Sequence, residues 1–340
     1  MKEEAGLSHD FSTAHTNSSS LLGGPATLTV DDLAQMAQTS SEEVREFWVA
    51  MGFPSPRADE KVFTENDARL FIEWSKFIAS GAIDQATARS LLRANSHLAD
   101  RLGLWQVEAL VEDTMRRYGL DDTAARMYVL DHIRERVDMF DELLRHSWRR
   151  QLDALLKRMD HEIATRGHEG LQPRFPLNRS LGFVDMVSYT SSSTILGGRL
   201  VDLIGRFEQL SRDAVTDAGC RVVKMIGDAV MYIADDLETG LRVAVSLIEQ
   251  LGADDQMLPV RASFVRGDVF SRSGDVFGPT VNLASRLVDI APVGKILMDP
   301  TTAAAIAAGK AGMEYDVEEF PSATLRGFGT ISPYLLTYRH

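Results

Sequence analysis

A single cysteine, Cys220, is all the thiol this 340-residue chain carries. That excludes an intramolecular disulfide framework and a thiolate metal cluster, and it fits a reducing compartment. Positive charge is also scarce: 36 Lys and Arg stand against 49 Asp and Glu, for a formal net charge of −13. A nucleic-acid partner would have to be met by a local basic patch working against that field, which counts against one. No window approaches the ~18 apolar residues of a membrane span, and the first twenty residues, MKEEAGLSHDFSTAHTNSSS, lack the apolar core of a signal peptide. The expectation is a cytoplasmic protein. What is present, 44% hydrophobic and 25% charged residues over this length, suits two globular domains with separate cores.

The chain divides by pattern. Residues 1–26 are rich in Ser, Thr, His and Gly and are expected to form a disordered tail. Residues 27–165 read as an all-α domain. LTVDDLAQMAQ is amphipathic, and in TSSEEVREFWVAMGF either Ser40 or Ser41 can cap a helix carrying Val44, Phe47, Trp48 and Met51. ENDARLFIEWSKFIAS and QATARSLLRANSHLADRL follow, and the stretch from Asp122 to Ile163 has neither Gly nor Pro, leaving room for one long helix or two. Two prolines and two glycines in RGHEGLQPRFPLN mark a linker over 166–178. Beyond it, residues 179–340 alternate short β-rich runs with helical ones. The order predicts an α+β domain, its helices covering a mainly antiparallel sheet.

Within that second domain several charges sit where apolar residues are expected. Asp185 lies inside the strand GFVDMVSYT, and VVKMIGDAVMYIA carries Lys224 and Asp228 in what reads as a tight hairpin with Gly227 before the aspartate. A carboxylate in an apolar strand costs several kcal/mol unless something compensates it. A divalent cation between two such carboxylates is one answer, and magnesium, with its hard oxygen ligands and substrate phosphates, fits. The other is bland: a strand-end aspartate facing water and a turn aspartate supporting its hairpin. Downstream, GDVFGPTVNLASR places Asp275 before a glycine turn and sets Asn282 and Arg286 four residues apart, on one helix face.

FVDMVSYT, KMIGDAV and GDVFGPTVNLASRL, in this order and spacing, closely resemble the catalytic domain of class III nucleotidyl cyclases. The resemblance covers about residues 180–340 and implies a ferredoxin-like, palm-type βαββαβ sheet with covering helices. By it, Asp185 and Asp228 match the two metal aspartates, with the backbone carbonyl of Met186 as a further ligand, holding two Mg2+ or Mn2+ ions. Lys224 and Asp275 match the pair that reads the purine, a donor to N1 and an acceptor from the exocyclic amine, which suits adenine and so ATP. Asn282 and Arg286 match the pair that orients the ribose and meets charge on the α-phosphate. The implied activity is an adenylyl cyclase, a phosphorus–oxygen lyase making cyclic AMP and pyrophosphate. Because these groups meet only between two facing catalytic domains, the resemblance implies a homodimer. The chain departs from the family near its end, where Phe328, beside Arg326, stands at the place of a phosphate-contacting lysine. The rival reading is a nucleotide-binding pseudo-cyclase that acts as a signalling scaffold.

The helical half resembles, more loosely, the regulatory domain ahead of some actinobacterial adenylyl cyclases, and its start looks like a MerR-type helix-turn-helix. SSEEVREFW carries three glutamates and one arginine where DNA contact needs the reverse, so a packing role is expected. His132, His146 and His161, spread along the helix leading into the catalytic domain, offer a proton switch, and the Leu, Phe and Trp of the same helices offer a site for a small-molecule or lipid effector. Ordinary surface histidines are the simpler account.

Overall fold

The structure is a computed structural model that describes residues 18–166, 177–187, 189, 199–272, 274–309 and 314–338. The chain forms two compact units, Met1–Gly167 and His168–His340. Of the expected tail, residues 1–17 lie outside the described residues, while 18–21 form one helical turn; of the expected linker, 167–176 lie outside them.

The first unit holds helices α1 (Val30–Ala37), α2 (Ser41–Ala50), α3 (Glu65–Ala79), α4 (Gln85–Tyr118), α5 (Asp122–His132) and α6 (Arg134–Arg166). Their starts are set by side-chain caps. Thr29 and Thr64 form reciprocal boxes with Asp32 and Asp67, and Ser40, rather than Ser41, accepts from the Glu43 amide. The apolar faces of α1, α2 and α3 meet around Leu33, Val44, Phe47, Phe63 and Phe71, with Phe47 edge-on to Phe71 at 5.0 Å. A smaller cluster of Val111, Ala125 and Val129 joins α4 to α5. The stretch without Gly or Pro is two helices, broken at Ile133, where the Arg136 guanidinium donates to the His132 carbonyl at 2.9 Å.

The second unit is built on a mixed sheet in the order β2-β3-β1-β4-β6-β10-β7, with β5 paired to β4. Its strands are β1 (Leu177–Met186), β2 (Arg221–Ile226), β3 (Ala229–Ala234), β4 (Val260–Arg272), β5 (Asp275–Phe277), β6 (Ile296–Met298), β7 (Tyr315–Glu319) and β10 (Tyr334–Tyr338). Among the described residues only the β4–β6 pairing is parallel. A separate ribbon joins β8 (Ala323–Leu325) to β9 (Gly329–Ile331).

Two cores flank this sheet. On one face α7 (Arg199–Asp217), α8 (Leu237–Gly252) and α10 (Pro300–Ala308) bury Phe207, Leu241, Leu247 and Ile306 against Val184, Met186, Val230 and Tyr232. On the other α9 (Pro279–Ile290) and the β8–β9 ribbon cover Leu181, Phe183, Met231 and Val265. Strand alternation assigns Leu181, Phe183 and therefore Asp185 to the α9 side. Gly182, between them, has no room for a side chain: a Cβ there would come within 2.6 Å of the Ser263 carbonyl and the Tyr232 ring.

Candidate active site

Asp185 stands near the end of β1, opposite Ala229 of β3 on one side and Arg261 of β4 on the other. Arg261 answers it directly. Its Nη2 and Nε donate to Asp185 Oδ2 at 2.8 and 3.1 Å, and its Nη1 donates to the Asp289 carbonyl, in the last turn of α9, at 2.5 Å. The two side chains are only 17% and 24% exposed, so water screens this pair little. Burial pushes the Asp185 carboxyl above its ordinary range; Arg261 pulls it back, while the charges of Asp228 and Asp289 add to the rise.

Asp228 is brought beside it by a turn. Ile226 pairs with Ala229, leaving Gly227 and Asp228 as a two-residue loop. Gly227 sits at φ +60 and Asp228 is not left-handed, the pattern of a type II′ hairpin in which only glycine takes the first place freely. The Met186 amide donates to the Asp228 carbonyl at 3.0 Å, which fastens this turn to the end of β1. Hence two carboxylates and the end of a strand's main chain converge at one edge of the sheet. Among the described residues no three acidic, His or Cys side chains converge on a point. The donor set is therefore hard oxygen and open, two carboxylates and a carbonyl. That fits Mg2+ or Mn2+ keeping water and phosphate ligands, and it does not fit a closed all-protein cage.

Lys224 and Asp275 meet across β2 and β5. Lys224 Nζ donates to both carboxylate oxygens of Asp275, at 2.8 and 3.1 Å, and the Val276 amide donates to Asp275 Oδ1 at 2.7 Å. Burial acts to raise the Asp275 pKa, but the Lys224 hydrogen bond, the Val276 amide and the charges of Lys224 and Arg221 outweigh it and hold the carboxyl below its usual range. A β-bulge between Val222 and Lys224 re-aims the start of this strand, and from Lys224 to Ile226 the register with β3 runs regularly up to the Gly227–Asp228 turn.

Asn282 and Arg286 occupy the exposed face of α9, whose other face packs Val281, Ala284, Leu287 and Val288 into the core. Arg286 reaches Asp289 at 3.5 Å on the same face. Asn282 lies seven residues before Asp289, about 10 Å along the helix axis. It is thus set well along α9 from the end that meets Arg261 and Asp185. Arg326 is exposed in the β8–β9 turn, and Phe328 packs against the core.

Of the predicted residues, then, the fold joins Asp185, Met186 and Asp228 at one place, joins Lys224 to Asp275 at another, and leaves Asn282 and Arg286 on an open surface. Arg261 was not foreseen. In PVRASFVRG it reads as one of two arginines in an exposed strand pattern, and only strand register sets it against Asp185.

Similarity to known proteins identifies the family. The family model of the adenylate and guanylate cyclase catalytic domain matches residues 178–338. An adenylate cyclase of Glutamicibacter nicotianae is 36% identical over 326 residues, covering 93% of this chain and 80% of that protein. One from Streptomyces coelicolor is 31% identical over 345 residues, covering 94% and 88%. Among solved structures, a Trypanosoma brucei adenylate cyclase, described in its monomeric state, is 18% identical with a TM-score of 0.45, covering 49% of this chain and 90% of that one. Since the likeness to the two bacterial enzymes runs through the helical half as well as the sheet, the whole chain belongs to the class III adenylyl cyclases.

Proposed function

We propose that this enzyme closes ATP to 3′,5′-cyclic AMP and pyrophosphate at two equivalent sites, each shared between two copies of the chain. One observation carries the reading: Asp185 and Asp228 are pinned side by side by the Met186–Asp228 main-chain bond, while Asn282 and Arg286 face outward from α9. A single copy holds a metal end and an open transition-state face, which suits a two-fold pairing that brings one to the other.

Asp185, Asp228 and the Met186 carbonyl would hold the two Mg2+ or Mn2+ ions. Such ions, when bound, lower the pKa of the ribose 3′-hydroxyl and offset the charge of the triphosphate. Arg261, whose Nη2 and Nε donate to Asp185 Oδ2, holds that carboxylate at the end of β1 and would keep a positive charge close to the metal-holding groups. Lys224 donates to adenine N1 and Asp275 accepts from its amine. Guanine presents a donor at N1 and an acceptor at O6, so each of the two protein groups would face its own kind. The base must first part the Lys224–Asp275 ion pair. Asn282 orients the ribose, and Arg286 meets the negative charge that grows on the α-phosphate oxygens. No nucleophilic side chain is needed, because the attacking oxygen belongs to the substrate.

The test is turnover. Purified protein with ATP and Mn2+ or Mg2+ should release cyclic AMP, and replacing Lys224 or Asp275 should erode the preference for ATP over GTP. A dimer that binds ATP and leaves it intact would favour the scaffold reading, against which stands the presence of Asp185, Asp228, Lys224, Asp275, Asn282 and Arg286 together. The helical unit we assign to regulation. It carries an open groove of about 940 Å³ lined by Phe47, Met51, Phe53, Leu70, Trp74 and Leu92, which supports a small-molecule or lipid effector. Support for a proton effector is thinner: His132 stacks on Tyr128 at 4.0 Å and its Nδ1 donates to the Tyr128 carbonyl, but His146 is exposed, and the His161 side chain lies outside the described residues.

A further inference from the structure

Arg221 and Lys224 stand three residues apart on β2, a spacing that in a regular strand sends side chains to opposite faces. The bulge between Val222 and Lys224 cancels that. Arg221 lies opposite Ile233 and Lys224 opposite Met231, two β3 residues that both belong to the core on the α9 side. Val223 packs toward the same core, while Val222 and Met225 join the other. One extra residue thus turns two cations of an edge strand to the same face, where regular pairing would turn one.

What the two cations meet is the hairpin that carries Asp275. β4 pairs with β1 only as far as Val269, and beyond it Phe270, Ser271 and Arg272 pair with β5 instead. Among the described residues β5 pairs with no other strand, so main-chain bonds tie the hairpin to β4 alone. In the sheet order β3 and β1 separate β4 from β2, and side chains close that gap. Lys224 Nζ holds the Asp275 carboxylate, and Arg221 Nη1 donates to the carbonyl of the preceding residue, Gly274, at 2.9 Å. Gly274 sits at φ +79, a left-handed conformation that glycine takes without strain.

We infer that Arg221 is a positioning residue for base recognition: it holds the Gly274 carbonyl, and with it Asp275, in place beside β2 once a nucleotide has parted Lys224 from Asp275. This rests on the base-reading roles given to those two residues above, and it adds the group that keeps the acceptor in register. Parting the ion pair removes one of the two ties between β2 and the hairpin. The other survives, because Arg221 grips the main chain and the adenine amine does not compete for that carbonyl. The Arg221 charge also helps hold the Asp275 carboxyl below its usual range, so that it stays an acceptor with no proton to offer guanine O6.

Purine preference in the full chain tests the inference. Arg221→Ala should raise KM for ATP about tenfold and leave kcat within about twofold, with the thermal midpoint unmoved. GTP, read as an alternative substrate or as an inhibitor of ATP turnover, should be recognised as before, so the preference for ATP narrows about tenfold. Arg221→Lys, which keeps the charge and can donate to the same carbonyl, should recover most of the loss. Asp275→Asn, measured in parallel, should narrow the preference at least as far. Equal losses for ATP and GTP, a fall in kcat alone, or no rescue by lysine would overturn the inference. So would an Arg221→Ala enzyme that discriminates like the parent while Asp275→Asn does not. If Asp275→Asn itself discriminates like the parent, the base-reading assignment fails, and the role of Arg221 falls with it.

Discussion

The ion pairs of the helical half and most of those of the sheet half, Arg286–Asp289 excepted, differ in kind. Among the described residues, those of the helical half are all at least 39% exposed on both sides, and all but Arg89–Glu46 join residues three or four apart. In the sheet half Arg261–Asp185 spans 76 positions and Lys224–Asp275 spans 51, and both are partly buried. Local pairs ornament a helix that would form anyway; distant pairs exist only because strands have come into register. Charges gathered at such cost are where the chemistry belongs.

The contrast can be attacked where the expected effect is largest. Asp228→Ala removes a carboxylate from the open oxygen site, and cyclic AMP formation with Mn2+ should fall by about 1000-fold or more while the thermal midpoint holds. Activity near the parent's would disprove the metal assignment. Next is Cys220, whose thiol burial pushes up to about 11, so that its reactive thiolate is depleted at pH 8 and returns only as pH climbs toward 11. Its alkylation at pH 8 should run roughly a hundredfold slower in the folded protein than in urea. Equal rates would mean that the strand end is open.

A smaller effect is expected at Arg261. Arg261→Ala strands a buried carboxylate that already carries a raised pKa, and the urea midpoint should drop by the equivalent of about 2 kcal/mol at pH 7. Arg126→Ala, which breaks an exposed pair with Asp122 on α5, should leave that midpoint unmoved. If the two variants behaved alike, the distinction between the halves would fail. Finally, the Asp275 carboxyl, held below its usual range in the folded chain, makes a contribution to stability that is complete above its unfolded pKa and fades as pH falls through the folded one. The stability difference between parent and Asp275→Asn should therefore be constant from pH 6 to 8 and shrink in acid, as acid titration with urea would reveal.

Much of the fold was legible before any coordinates. The strands of SLGFVDM, RVVKMI, AVMYIA and ILM, and helices α7, α8 and α9, follow from periodicity, and the antiparallel character of the sheet follows from their order. Missed were β5, β7, β8, β9 and α10. In YDVEE only Tyr315 and Val317 alternate with charged residues, too short a run to mark an edge strand; DVF is shorter still, and TTAAAIAA, small throughout, shows no helical period. The bulge at Val222 was equally invisible, since an extra residue in one strand leaves no mark in the other.

What the sequence determined by itself is local: which segments are helix or strand, the glycine turn that exposes Asp228, the spacing that puts Asn282 and Arg286 on one helix face, and motifs specific enough to imply the chemistry. Those depend on neighbours a few residues apart, and such neighbours are read directly. Only the tertiary structure decided that Arg261 clamps Asp185, that Lys224 and Asp275 are already joined, and that Asn282 and Arg286 stand apart from both on the open face of α9. Each of these is a meeting, or a failure to meet, between residues far apart in the chain, and it is set by strand register and by what packs where, which no short window of sequence contains.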